Sequence, residues 1–112
     1  MAKLEYRLSG NFDRILADLE NTVLQGASSS KEGASNFWGD DCRCAVRVYE
    51  RYSFIGSNRV SMSITLFEAG DEINLSVITS GGSQAVFMKM NTFGEENFLA
   101  VIRRTAEKYR IN

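Results

Sequence analysis

Histidine and proline are both absent from the 112-residue chain, and cysteine occurs only twice. Without histidine the protein lacks the commonest general base and the commonest metal ligand. Serine is plentiful, but Ser28, Ser29 and Ser30 lie in a tract of small residues with no imidazole to activate them. Cys42 and Cys44 form a C-x-C pair, and no third cysteine or histidine exists to complete a structural zinc site. The acidic pairs Asp40-Asp41, Asp71-Glu72 and Glu95-Glu96 fall at expected loop ends and helix starts, where turns and caps account for them. No glycine-rich strand-to-helix phosphate loop is present. These absences predict a protein that is not an enzyme and that uses no cofactor and no metal.

Long apolar runs are missing too, so no segment is suited to span a bilayer. Lys3 and Glu5 place charges where a signal peptide would need its apolar stretch, which predicts a cytoplasmic location with no membrane partner. A net charge of −1 disfavours bulk attraction to nucleic acid or anionic lipid. With 44% hydrophobic and 24% charged residues the composition is that of a folded globule. The length suits a single domain over residues 1–112.

What the chain does contain is alternation. Leu4, Tyr6 and Leu8 alternate with charged residues and read as a first strand. Asn11 then offers an N-cap, and Phe12, Ile15, Leu16, Leu19 and Val23 recur at helical spacing until about Gly26. Residues 26–40 read as the one long loop, either a flexible crossover pinned by Phe37 and Trp38 or a ligand lid. Four strands are expected between Cys42 and Met90. Two-residue hairpins at Gly70-Asp71 and Gly81-Gly82 would oppose Leu66 to Leu75 and Ile64 to Val77, then Val77 to Val86, Leu75 to Met88 and Ile73 to Met90. Cys42, Cys44, Val46 and Val48 are assigned to the same apolar face, which requires an odd turn or a bulge near Ile55-Gly56-Ser57. Glu50 shares that phase near a hairpin tip, where solvent or an arginine would meet it. Thr92 and Glu95 match a capping box, and Phe98, Val101, Ile102, Thr105 and Tyr109 form the stripe of a second helix. The expected fold is a two-layer α+β sandwich, a five-stranded antiparallel sheet in the order 1-5-4-3-2 with both helices on one face.

This order is similar to the TATA-binding-protein-like topology and more loosely to small helix-grip domains. Within it the stretch from Arg47 to Ser53 (Arg-Val-Tyr-Glu-Arg-Tyr-Ser), followed by Gly56-Ser57-Asn58-Arg59, resembles a family of small bacterial domains of unknown function. The resemblance covers essentially the whole chain and implies no catalytic residue.

On this register the outer sheet face would display Lys3, Arg7, Arg43, Arg47, Arg51, Arg59 and Lys89, with serines, threonine and asparagine between them and Phe67, Ile78 and Phe87 interleaved. Arginine binds anions bidentately and aromatic rings stack. The sequence therefore points to a non-enzymatic interaction module, expected as a homodimer. Its binding residues would be Arg43, Arg47, Arg51, Arg59, Phe67 and Phe87, presented to a second copy, an anionic ligand or an acidic protein. The alternative is a small-ligand carrier with an apolar cavity between sheet and helices, lined by Met62, Met88, Met90 and Tyr109.

Overall fold

The computed structural model describes residues 1–26, 28–53, 58–81 and 88–112, with the backbone alone for Ser53, Asn58 and residues 88–94. The chain runs β1 (Ala2–Leu8), α1 (Phe12–Leu24), β2 (Ser29–Gly39), β3 (Cys42–Ser53), β4 (Asn58–Ala69), β5 (Glu72–Gly81) and α2 (Met88–Glu107). Every strand pairing is antiparallel, and the sheet order is β1-β5-β4-β3-β2. This is the expected α+β fold, with one helix after the first strand, a four-stranded meander and a final helix.

The residues that build the meander differ from those expected. The tract read as a loop supplies β2, paired with β3 from Ser29↔Arg51 to Gly39↔Cys42 around a bulge between Lys31 and Gly33. Asp40 and Asp41 close this hairpin, with Asp41 at a positive φ of 58°. Gly70-Asp71 turns as expected, with Leu66 opposite Leu75 and Ile64 opposite Val77. At the other end the strand expected through Met88 and Met90 is not formed, because both belong to α2. β1 takes its place against β5, setting Leu4, Tyr6 and Leu8 opposite Val77, Leu75 and Ile73. Met88, Lys89 and Met90 are all good helix formers, and so short a run cannot separate period 2 from period 3.6. Val86, Phe87 and the Gly82 turn lie outside the described residues.

Both helices close the same face. Phe12, Ile15, Leu19 and Val23 of α1 and Phe98, Leu99, Ile102 and Ala106 of α2 join the inner residues of β1, β3, β4 and β5 in one buried cluster. Asn11 caps α1 by accepting the Arg14 N–H at 2.9 Å. The capping box does not start α2, since Thr92 lies within the helix; Glu95 instead accepts the Gly81 N–H through Oε2 and pairs with the Met1 ammonium through Oε1. Tyr109 follows the helix, half-buried, and donates its hydroxyl to Asp18 at 2.5 Å.

Candidate interaction surface

The phase of β3 decides what the open face carries, and it is opposite to the expected one. Ser53 pairs with Asn58, so four residues separate β3 from β4. An even number reverses the parity that an odd turn would have kept. Ala45, Arg47, Tyr49 and Arg51 consequently face Leu66, Ile64, Met62 and Val60 on the helix side, and Cys44, Val46 and Val48 face Phe67, Thr65 and Ser63 outside.

Under α1 the inward arginines are accommodated by acids of that helix. Arg43 lies 4.0 Å over the Phe12 ring, donates to Asp13 at 3.0 Å and pairs with Glu68 at 3.4 Å. Arg47, 9% exposed, donates to the carbonyls of Ser35 and Val46 at 3.1 and 3.0 Å and to Asn36 Oδ1 at 3.0 Å. Its Nε stands 4.0 Å from Glu20, which also accepts from the fully buried Tyr49 hydroxyl at 2.7 Å and from Lys31 at 3.0 Å. Burial works to raise the Glu20 pKa, but the Tyr49 hydroxyl, Lys31 and Arg47 together hold it below the usual carboxylate range. Burial first, then the Glu20 carboxylate, push the Tyr49 phenol well above its ordinary value. Arg51 reaches to 5.5 Å over the Phe98 ring. These arginines belong to the packing between sheet and helices. Of the expected binding residues that are described, Arg59 and Phe67 stand on the open face, Arg59 paired with Glu50 at 3.0 Å and Phe67 40% exposed. Phe87 lies outside the described residues, as does the Lys89 side chain.

The open face that results is apolar in the middle and charged at the margin. One row of cross-strand neighbours runs Phe37, Cys44, Phe67, Asn74, Arg7, and the next runs Ser35, Val46, Thr65, Ser76, Glu5. A third sets Gly33, Val48, Ser63, Ile78 and Lys3 side by side. Cys44, Val46, Val48 and Ile78 are half-exposed, and Phe37 is 62% exposed. Both cysteines are free thiols on this face, a correction to their expected place in the core. The marginal charges pair among themselves, Lys3 with Glu5 at 3.6 Å and Arg7 with Glu72 at 3.9 Å. Among the described residues each of these cations stands beside an acid, as Arg59 does. A shallow hollow of about 370 Å³ lies beside Phe67, bordered by Arg7, Asn74, Ser76 and Asn112.

Of the residues expected to line a carrier cavity, Met62 is wholly buried within the packed cluster, and the side chains of Met88 and Met90 lie outside the described residues. Among the described residues no group of histidine, cysteine, aspartate or glutamate could hold a metal ion. No helix among them is long and apolar enough to cross a membrane. Val46 and Val48 were missed as surface residues, and the signal that finds them is the loop count between Ser53 and Asn58. No curated protein and no solved structure matches the chain. Its sequence from residue 1 to residue 110 matches a family of unknown function, DUF6054, and the chain belongs to that family.

Proposed function

We propose that this protein is a non-enzymatic interaction module that self-associates through the open sheet face. The observation that carries the reading is the uncovered apolar centre formed by Phe37, Cys44, Val46, Val48, Phe67 and Ile78. Contiguous exposed apolar surface of this kind marks an interface in soluble proteins. Strands about 4.8 Å apart and about 33 Å long give five strands a face of roughly 800 Å². That is the area each partner contributes to a standard interface, and sheets pack face to face readily at about 10 Å.

Charge favours a second copy as the occupant. The marginal charges are balanced and already paired, so two such faces meet without net repulsion, and an acidic or basic partner gains no specific attraction. Shape agrees with charge, because the face carries both the projecting Phe37 ring and the hollow beside Phe67. A two-fold dimer needs one patch to be complementary to itself.

Light scattering coupled to sizing tests the reading. The wild-type chain is expected at twice the monomer mass of 12.5 kDa, and Val46→Glu combined with Phe67→Glu at the monomer mass. A wild-type chain that stays monomeric at high micromolar concentration would refute it.

A further inference from the structure

The two edges of the sheet are treated differently. The β1 edge is covered along its second half by the C-terminal tail. Ser9 N donates to Tyr109 O, Ile111 N donates to Arg7 O, each at 2.9 Å, and Arg110 bridges Leu8. β2 forms the opposite edge, and among the described residues no strand pairs with its outer side. Its first half carries the usual protections of an edge, a bulge with Lys31 and Glu32 beside it. Its second half, Ala34-Ser35-Asn36-Phe37-Trp38-Gly39, has neither charge nor proline nor bulge.

Phe37 and Trp38 stand on opposite faces of that segment, since Phe37 is opposite Cys44 outside and Trp38 opposite Arg43 on the helix side. They are 62% and 73% exposed. Beside Trp38 a cleft of about 150 Å³ opens between β2 and α1, walled by Phe12, Leu16, Asn36, Arg43 and Arg47. That is below the roughly 300–1,000 Å³ of small-molecule pockets and is the scale of a single side chain.

We infer that the Ala34–Gly39 edge is a strand-addition site for an extended peptide segment of a partner protein. Its open side offers main-chain donors and acceptors to the segment, and the two aromatics grip the segment's side chains from both faces. One apolar side chain of the added strand would enter the cleft under Leu16. A lysine or arginine would lie at the end beside the exposed Asp40-Asp41 turn.

Size favours a peptide over a second copy at this edge, because a six-residue edge buries far less than the roughly 1,000 Å² that two folded partners need. The site shares Phe37 with the apolar centre of the open face but rests also on Trp38, the helix-side cleft and the edge main chain, so either proposal can fail alone.

Trp38 is the chain's single tryptophan and reports directly on the edge. The probe is a panel of capped peptides Lys-Thr-Val-Thr-Leu-Thr-Lys, with valine, leucine or phenylalanine at the third and fifth positions. The best member is expected to bind saturably at micromolar concentration, to shift Trp38 emission to the blue and to lose binding at least tenfold when its alternate backbone nitrogens are methylated. By fluorescence polarisation of a labelled peptide, Phe37→Ser with Trp38→Ser should weaken binding at least fivefold, whereas Phe67→Glu should leave it unchanged. Failure of every panel member to bind overturns the inference, as does binding indifferent to N-methylation. A blue shift that appears on concentrating the protein alone, and persists in Phe67→Glu, would assign the edge to a second copy instead.

Discussion

At the scale of single residues, Arg47 departs furthest from what hydropathy suggests. It lies on a strand whose valines face out, and its guanidinium is held under α1 by two carbonyls, Asn36 and Glu20. Arg47→Glu would place a carboxylate beside Glu20 and leave those acceptors without a donor. A loss of about 3 kcal/mol or more is expected, as for one partner removed from a buried charge network. Urea unfolding measures it, and an unchanged midpoint would show that Arg47 is a solvated side chain after all. Glu20 and Tyr49 add a pH signature. The Glu20 pKa is lower in the folded chain, so its contribution is present above the ordinary carboxylate value and is lost as pH falls through the lowered one. The Tyr49 pKa is higher in the folded chain, so its contribution is present below the ordinary phenol value of about 10 and is lost at more alkaline pH. Glu20→Gln should flatten the acid limb of stability against pH, and Tyr49→Phe the alkaline limb. If neither limb changes in thermal melts across pH, the two groups do not titrate as a pair.

At the scale of elements, legibility depended on how many residues carried each signal. The turn at Gly70-Asp71 and the pairs Leu66–Leu75 and Ile64–Val77 were readable because two long alternating runs flank a glycine turn. α1 was readable because its 13 residues repeat one apolar stripe behind an asparagine cap. β2 was not readable, since Ser29–Gly39 is mostly small and polar and exposed on both faces, leaving no hydropathic alternation to see. The Asp40-Asp41 turn was its one available sign. β3 was misphased because both of its faces carry residues that can be buried, valine and cysteine on one side, alanine and tyrosine with arginine stems on the other. The deciding fact was the even count between Ser53 and Asn58, not hydropathy. Because β2 owes little to side-chain packing, its internal glycine is open to improvement. Gly33 has nothing within 4 Å of an added Cβ and no positive φ. Gly33→Thr, opposite Val48, should raise stability by roughly 0.5–1 kcal/mol through a stiffer chain and a cross-strand contact. A lower thermal midpoint for that variant would contradict the strand.

At the scale of the whole molecule, the helices and the inward arginines leave one large surface uncovered by the described residues, and it is a sheet face with an apolar middle. The candidate site was only partly legible: Phe67 and the row of serines and threonine were placed outside in advance, whereas the arginines traded places with Cys44, Val46 and Val48. That exchange replaces the expected arginine-rich surface with one whose middle is apolar. Cys44 lies in the middle of it and offers the most direct test. With Cys42→Ser as background, the rate of Cys44 modification by a thiol reagent should be followed from nanomolar to high micromolar protein. Face-to-face association predicts that the rate falls at least tenfold as concentration rises, and that Val46→Glu abolishes the fall. A Cys44 rate that stays the same across the whole range would contradict association through this face.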